Sequence, residues 1–318
     1  MNIYFAPLQG YTTALYRQLH HSMWGNVASY YTPFVRLEKG DLRKRDLLDI
    51  APANNSSTSV IPQMLPRDAD ELRRISKLFI DNGYTHADIN MGCPFPPVAL
   101  HRRGSGILMY PDAVAELMRT IEEFPELSYS VKMRLGWQQN DEWKGVIEIL
   151  NNAPLSHICL HARIGKQQYK GDIDLDAFTA FYASCKHPII FNGDITTIND
   201  IQQIRIKFPA LKGIMIGRGL LARPYLSTIV DNPQGYTTSE IIKKLQLFHN
   251  QLYEGFKLSS QGDAQLVQRA KSQWEYFLPH APRKERKAIV KSTTPQRYEQ
   301  AVANLFEALH RDVNSFEL

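Results

Sequence analysis

The sequence predicts a (β/α)₈ TIM barrel followed by a small all-helical C-terminal domain. Eight short apolar or β-branched runs alternate with segments of helical period as far as Leu221, where the strand signal stops. Strands that alternate with helices pair in parallel through right-handed crossovers, and eight such units close into a barrel. The segment from Asp231 to Gly235 is typical of a linker. The predicted domains are therefore residues 1–235 and 236–318.

The elements of the predicted barrel follow from local patterns. Residues 68–80 and 111–121 repeat apolar side chains at helical spacing, and Asp68, Pro111 and Asp112 suit helix entries. The eight predicted strands are residues 3–8, 27–35, 59–65, 86–91, 129–135, 157–161, 188–191 and 213–216.

The C-terminal region shows helical periodicity alone. Apolar residues recur at intervals of three and four in the first predicted helix, at Ile241, Leu245, Phe248, Leu252 and Phe256. Further helices are predicted at residues 264–277 and 296–310. Together they form an appendage of about 80 residues, near the lower end of domain size.

Composition excludes several classes of protein. With 43% hydrophobic and 22% charged residues, 318 residues can form one α/β domain and a smaller one. No apolar run approaches the ~18 residues of a spanning helix, and no basic leader with an apolar core opens the chain. Three cysteines without metal-type spacing predict neither a disulfide framework nor a metal site. We expect a cytoplasmic monomer without membrane or metal.

Basic residues are concentrated in two runs, although the net charge is only +5. One run covers residues 36–45. The other covers residues 283–297, where Glu285 is the single acid. Two such clusters favour a polyanionic partner.

The most informative motif is Asp88-Ile89-Asn90-Met91-Gly92-Cys93-Pro94. Glycine and proline end the preceding strand, so the Cys93 thiol is predicted at the strand's carboxyl tip. In barrels, side chains at that end face the ligand.

Polar residues follow most of the other predicted strands as well. Because the carboxyl ends of barrel strands share one mouth, we expect these side chains to form one site. The set is Gln63, Asn90, Cys93, Lys132, Arg134, His161, Arg163, Asn192-Gly193-Asp194 and Gly217-Arg218-Gly219.

The loops after the last two strands predict a phosphate site. Backbone N–H groups at glycines approach an anion closely, and such barrels commonly bind phosphate there. Arg218 would add a charge-assisted contact. The implied ligand is a phosphorylated small molecule.

Taken together, the motifs resemble those of the tRNA-dihydrouridine synthase family. The order and spacing match across nearly the whole barrel, and the region around Arg269 and Thr32 to Arg36 is most similar to the bacterial C-type branch. The matching motifs are Ala6-Pro7-Leu8-Gln9-Gly10, Asp88 to Pro94, Val131 to Gly136, His161-Ala162-Arg163 with Tyr169-Lys170-Gly171, Asn192 to Ile195 and Met215 to Gly219.

The resemblance implies a flavin mononucleotide (FMN) enzyme that reduces a uridine of tRNA at its 5,6-double bond, with NADPH or NADH as reductant. Reduced flavin would give hydride to C6, and Cys93 would protonate C5 as the general acid. A thiol of ordinary pKa stays protonated near neutral pH yet transfers its proton readily.

The resemblance also assigns the remaining residues by motif. Cofactor contacts are expected from Pro7, Leu8, Gln63, Lys132, His161, Asn192, Gly193, Asp194, Gly217 and Arg218. Substrate contacts are expected from Asn90, Arg134 and Arg163 in the pocket, and from Arg269, Lys271, Arg283, Lys284, Arg286 and Lys287 on the tRNA body. A base inside folded RNA must be extruded to reach such a mouth.

Some positions depart from the family pattern. Leu8 replaces the usual methionine, and Ala162 replaces the more frequent glycine of His-Gly-Arg. The loop after Cys93 has Phe95-Pro96-Pro97 and then Arg102 to Met109 in place of a lysine-rich turn. That loop is predicted to be stiffer than in other family members, and the position of the substrate is expected to differ from theirs.

Three other functions remain open from the residues alone. Lys132 could be the Schiff-base nucleophile of a barrel aldolase, which leaves Cys93 and the basic helices without a role. The chain could also be a non-catalytic RNA-binding module. A flavin dehydrogenase of free pyrimidines or dihydroorotate shares the flavin site, and only the basic helical appendage argues against it.

Overall fold

The computed structural model describes residues 1–313 and 316. The strands of its main sheet are β1 Asn2–Phe5, β2 Ser29–Tyr31, β5 Val60–Ile61, β6 Gln63–Met64, β7 His86–Met91, β8 Ser128–Gly136, β9 Leu155–Ile164, β10 Ile189–Asn192 and β11 Gly213–Ile216. This sheet is parallel throughout, in the order β5-β2-β1-β11-β10-β9-β8-β7-β6. All eight predicted strand segments contribute to it.

The sheet closes through one segment that supplies both of its ends. β5 pairs with β2, and β6 pairs with β7, with only Pro62 between them. Proline has no N–H to give a neighbouring strand, but its carbonyl accepts from the Asp88 N–H at 2.9 Å. The ring of parallel strands is thereby completed, and the predicted TIM barrel is confirmed.

A short hairpin interrupts the first basic run. Strands β3 Leu37–Glu38 and β4 Asp41–Leu42 pair antiparallel around Lys39 and Gly40, which both have positive φ. That backbone is typical of the tight turns that join two-residue hairpins.

Helices alternate with the barrel strands. Up to the last barrel strand they are α1 Ala14–Met23, α2 Lys44–Ile50, α3 Ala69–Asp81, α4 Pro96–Ala99, α5 Pro111–Ile121, α6 Ile147–Asn152, α7 Leu175–Ser184 and α8 Ile198–Lys207. Short 3₁₀ helices lie at Pro52–Asn54, Gly104–Met109, Glu142–Gly145 and Gly165–Gln167. Asp68 accepts a hydrogen bond from the Glu71 N–H and so caps α3, as its position predicts.

The remaining helices follow the barrel. They are α9 Arg218–Ala222, α10 Leu226–Ile229, α11 Thr238–Ser259, α12 Asp263–Gln273, α13 Arg283–Lys291 and α14 Pro295–Arg311. Thr237 and Glu240 form a reciprocal capping box at the start of α11. In the interior of this region, the Tyr298 hydroxyl accepts from Trp274 Nε1 at 2.9 Å and lies 2.8 Å from His249 Nε2.

The chain divides into two compact units. The first consists of Met1–Ala14, Val27–Ile195 and Asn199–Gly217, and the second of Leu15–Asn26, Thr196–Ile198 and the chain from Arg218 onward. The division of domains at residue 235 stays a prediction. In the part of the chain that the structure describes, no helix is long and apolar enough to cross a membrane.

Candidate active site

The end of β7 positions Cys93. The Asn90 side chain turns back on the chain, and its Oδ1 accepts from the backbone N–H of Gly92 at 3.0 Å and of Cys93 at 2.8 Å. This side-chain turn stops the strand and fixes the first residues of the loop. Cys93 is consequently held beside the strand tip and remains partly exposed.

A second segment holds the same loop from the other side. Ser105 donates to the Cys93 carbonyl from its backbone N–H at 3.1 Å and from Oγ at 2.9 Å. Gly104 has φ +56°, and a Cβ there would lie 2.7 Å from both Cβ and O of Cys93. Only glycine fits this approach without moving the loop.

The Cys93 thiol is protonated at neutral pH. Burial raises its pKa above the ordinary value, although the Phe95 N–H and the positive charges of Arg134, Arg36 and Lys132 oppose that shift. A thiol with a raised pKa keeps its proton at pH 7. Cys93 can therefore donate a proton.

The side-chain amides of Gln63 and Asn90 form a hydrogen bond with each other. Gln63 Oε1 accepts from Asn90 Nδ2 at 2.8 Å, and Gln63 Nε2 donates to Asp88 Oδ2 at 2.7 Å. Asp88 also accepts from Ser130 Oγ at 2.6 Å. Gln63 and Asp88 are fully buried.

Lys132 lies on β8 directly opposite Asn90. Its Nζ donates to Asn192 Oδ1 at 3.1 Å, and Asn192 Nδ2 donates in turn to the Met215 carbonyl at 2.8 Å. Burial lowers the Lys132 pKa. These bonds tie the tips of β8, β10 and β11 together.

Arg134 closes the site from the same strand as Lys132. Its Nε donates to the Gly92 carbonyl at 3.0 Å, and its Nη1 donates to the Ile164 carbonyl at 2.9 Å. The guanidinium lies 5.5 Å from the centre of the Tyr169 ring. Arg134 is almost fully buried, and it links the Cys93 loop to the end of β9.

Arg163 and Asp194 form a paired contact near His161. Arg163 Nη1 donates to Asp194 Oδ1 at 2.8 Å, its Nη2 bonds to Asp194 Oδ2, and both Nε and Nη2 donate to the Gly171 carbonyl. Arg163 Nη1 also lies 3.3 Å from His161 Nε2. A bidentate contact of this kind fixes Asp194 at the tip of β10.

The Pro7-Leu8 segment and Gly217 lie at neighbouring strand ends. The Leu8 N–H donates to Thr12 Oγ1 at 2.9 Å, and a Cβ at Gly217 would lie 3.2 Å from Leu8 Cδ1. The absence of a side chain at Gly217 keeps its backbone accessible beside Leu8. Pro7, Leu8 and Gly217 are all partly exposed.

The second unit holds the other predicted binding residues. Arg218 begins α9. Arg269 and Lys271 bond within the helical region, to Ser259 Oγ at 2.7 Å and the Ser292 carbonyl at 2.9 Å.

Helix α13 contributes the remaining basic residues. Arg286 donates to the carbonyls of Pro279 and Trp274. Arg283, Lys284 and Lys287, here called the α13 cations, are at least partly exposed.

Three residues that support the site are not evident from the sequence. For Gly104 and Ser105, the only signal is the pair of glycines in Gly104-Ser105-Gly106, which indicates a close backbone approach. Asp88 is part of the Cys93 motif, but the motif alone does not show what it contacts. Among residues 1–313 and 316, no group of three or more His, Cys, Asp or Glu side chains could hold a metal.

The motif residues of unit 1 thus surround one barrel mouth, and the sequence as a whole matches a known family. A profile of the dihydrouridine synthase family matches residues 4–313. The chain belongs to the dihydrouridine synthase family. It is therefore an oxidoreductase that acts on CH–CH bonds.

Relatives from bacteria agree with this membership. A probable tRNA-dihydrouridine synthase of Rhizobium leguminosarum bv. phaseoli is 30% identical over 254 residues, which cover 78% of this chain and 77% of the relative. The tRNA-dihydrouridine(16) synthase of Haemophilus ducreyi is 29% identical over 88% of this chain and 86% of its own. The tRNA-dihydrouridine synthase B of Serratia marcescens is 27% identical over 87% of this chain and 83% of its own.

Solved structures agree with the fold. A structure of morphinone reductase in complex with tetrahydroNAD has a TM-score of 0.51, with 10% identity over 74% of this chain and 88% of that one. A second structure of morphinone reductase also has a TM-score of 0.51, with 11% identity over 72% of this chain and 85% of that one. The likeness is one of fold.

Proposed function

We propose that the protein is an FMN-dependent tRNA-dihydrouridine synthase, which reduces the 5,6-double bond of a tRNA uridine with NADPH as electron donor. The observation that carries the proposal is Cys93. It is a partly exposed, protonated thiol at the tip of β7, held by side chains that reach it from two sides. Family membership supplies the reaction class.

The residues of the mouth fit a flavin. Lys132 Nζ bonds to the neutral amide of Asn192 and not to a carboxylate, so this amine suits a contact to the electron-rich pyrimidine end of the ring. Gly193 has positive φ and lies just after β10, and glycines in the loops at this end of a barrel allow backbone N–H groups to approach a phosphate closely. Pro7, Leu8, Gln63, His161, Asn192, Gly217 and Arg218 complete the proposed cofactor contacts. When bound, reduced FMN supplies the hydride that C6 of the uracil receives.

Cys93 supplies the proton in this proposal. As C6 gains the hydride, the electrons of the double bond pass towards C5 and O4, and the Cys93 Sγ–H bond breaks as the C5–H bond forms. The thiolate that remains is stabilised by the positive charges of Arg134, Arg36 and Lys132. A proton from solvent then restores the thiol.

The proposed contacts to uracil come from Asn90, Arg134 and Arg163. Asn90 keeps one Nδ2–H beyond its bond to Gln63, which suits a donor to a uracil carbonyl. Arg134 presents its guanidinium beside Tyr169, a ring on which an extruded base can stack. Arg163 lines the pocket, and its hydrogen bonds to Asp194 and to the Gly171 carbonyl hold those two residues in place.

The α13 cations are proposed to contact phosphates of the tRNA body. Arg269, Lys271 and Arg286 are proposed to contribute to the same binding. Exposed cations bind phosphate without reading sequence and make the affinity salt-dependent. The similarity to the C-type branch stays a prediction, because relatives named synthase B and (16) synthase match at comparable identity.

The test uses the visible absorbance of the purified protein. Flavin bands should bleach with NADPH under anaerobic conditions and recover only when undermodified tRNA is added. Cys93→Ala should keep the bleaching and slow the recovery by about 10² to 10⁴-fold, the usual contribution of a general acid. Cys185→Ala is the matched control and should recover at the native rate.

Other outcomes would redirect the proposal. Recovery with free uracil or orotate instead of tRNA would favour a dehydrogenase of small molecules, because each of these offers a 5,6-double bond that accepts the electrons of the reduced flavin. A protein that stays colourless after reconstitution with FMN would refute the synthase, and borohydride trapping of substrate on Lys132 would then favour the aldolase.

A further inference from the structure

A chain of hydrogen bonds runs from the barrel interior to the Cys93 loop. It begins at Ser130 Oγ, which donates to Asp88 Oδ1 at 2.6 Å. Asp88 Oδ2 accepts from Gln63 Nε2 at 2.7 Å, and Gln63 Oε1 accepts from Asn90 Nδ2 at 2.8 Å. Asn90 Oδ1 finally accepts from the N–H groups of Gly92 and Cys93.

The donor-to-acceptor direction of this hydrogen-bond chain depends on Asp88, which lies at its buried end. Each amide side chain has one donating and one accepting group, so Gln63 and Asn90 could run in either sense. An ionised carboxylate only accepts, and it therefore turns the Gln63 amide nitrogen towards itself. Gln63 Oε1 must then face Asn90 Nδ2, which leaves Asn90 Oδ1 for the loop.

The opposite direction would release the loop. If Gln63 presented Nε2 to Asn90, Asn90 would present its own Nδ2 to the N–H groups of Gly92 and Cys93. Donors would then face donors, and the two hydrogen bonds that hold the Cys93 backbone would break.

We propose that Asp88 is a positioning residue for Cys93, which sets the direction of the Gln63 and Asn90 amides and thereby anchors the loop that bears the thiol. Asp88 is fully buried, so it acts on the loop through Gln63 and Asn90. The anchoring itself is a property of the polypeptide, and only its catalytic consequence rests on the proposed function.

Burial raises the pKa of Asp88 to about 7, while Ser130, Gln63 and Lys132 favour its ionised form. The experiment is therefore set at pH 8.5, where the carboxylate form dominates.

A pair of variants separates direction from charge. Asp88→Asn can donate to Gln63 Oε1 and so permits the reversed chain. The double variant Asp88→Asn with Gln63→Glu moves the carboxylate one position along. The amide introduced at position 88 donates to the carboxylate introduced at position 63. That carboxylate also accepts from Asn90 Nδ2, so Asn90 Oδ1 again faces the loop. Ser130→Ala is the control, because it removes a bond of Asp88 without changing the direction.

Amide hydrogen exchange resolved at Gly92 and Cys93 is the measurement, on the full chain as purified. Protection should fall at least tenfold in Asp88→Asn and return to within threefold of native in the double variant. Ser130→Ala should also stay within threefold. Native protection in a folded Asp88→Asn, or a double variant no better protected than the single one, would overturn the proposal.

The double variant also decides the case in which Asp88→Asn does not fold. A double variant that folds with native protection supports the directional role, whereas one that also fails to fold refutes it. These readouts need neither flavin nor tRNA, so they stand apart from a failure of the synthase assay.

The catalytic consequence is measured separately. If the synthase function holds, Asp88→Asn should bleach with NADPH normally, and its tRNA-driven recovery should slow at least tenfold. The double variant has no place in this assay, because Gln63 is itself a proposed cofactor contact. Recovery at the native rate in Asp88→Asn would overturn the role of Asp88 in positioning the acid.

Discussion

Replacing Gly104 with alanine should both destabilise the protein and displace its acid. Gly104 has φ +56°, and the added Cβ would lie 2.7 Å from Cβ and O of Cys93 and 3.0 Å from its N. These are main-chain atoms or atoms attached directly to the main chain, so no flexible side-chain end can move aside. The Cys93 loop itself must shift.

The magnitude has two parts. A left-handed conformation costs an L-residue about 1 to 2 kcal/mol, whatever the surrounding space. Overpacking adds about 1 to 3 kcal/mol more. We therefore expect Gly104→Ala to lose about 2 to 5 kcal/mol of unfolding free energy.

Gly83 provides the matched control. Its φ is +77°, but a Cβ there meets nothing within 4 Å. Gly83→Ala should lose only the conformational part, about 1 to 2 kcal/mol. Urea unfolding of both variants isolates the clash with Cys93 as the difference between them.

Activity should separate the two variants further. A displacement of about 1 Å at a reacting group can cost roughly 100-fold in rate, so Gly104→Ala should lose about that factor in tRNA-driven flavin recovery. Gly83→Ala should keep the native rate. Equal losses of stability and of rate in the two variants would refute the reasoning.

The remaining predictions concern a charge pair, a buried histidine and the α13 cations. Asp194→Ala leaves the Arg163 guanidinium without its carboxylate and should cost about 2 kcal/mol in urea unfolding, whereas an unchanged midpoint would show that the Gly171 carbonyl suffices. Burial lowers the pKa of His249 to about 4, below its ordinary 6.5, so the unfolded chain binds the extra proton and stability falls as pH drops from about 6.5 to about 4. His249→Gln should remove roughly 2.5 kcal/mol of that loss between pH 7.5 and 4.5, and an unaltered pH dependence contradicts this account. Alanine at all three α13 cations should reduce the slope of log K for tRNA against log salt by about 0.7 to 0.9 for each phosphate that these side chains neutralise, and an identical slope would exclude phosphate binding there.

The sequence was most informative where local pattern decides structure. Barrel strands are buried on both faces and appear as continuous apolar runs, so all eight could be predicted. Their ends were less certain: residues 27–35 contain only the strand Ser29–Tyr31, and Pro62 divides 59–65 into two pieces. Polar residues at the tips could be grouped because parallel strands end at one edge of a barrel.

The hydrogen-bond partners of these residues could not be predicted. Arg163 finds Asp194, 31 residues further along, and the pairing depends on how β9 and β10 are registered. Gln63 faces Asp88 because β6 and β7 pair at those positions. Spacing along the chain predicts which residues share the mouth, but only the tertiary structure shows which ones support others.

The closure of the barrel has a consequence for synthesis on the ribosome. β1 pairs with β2 on one side, but its other neighbour is β11, roughly 200 residues later. At about 5 to 20 residues per second, Ile3 to Phe5 wait roughly 10 to 40 s for the partner that covers their second edge. During that interval a nascent chain exposes an apolar strand edge, which is a template for pairing with other chains. The protein's exposure to aggregation is therefore greatest while it is being translated, and slower elongation before residue 216 should increase its need for chaperones.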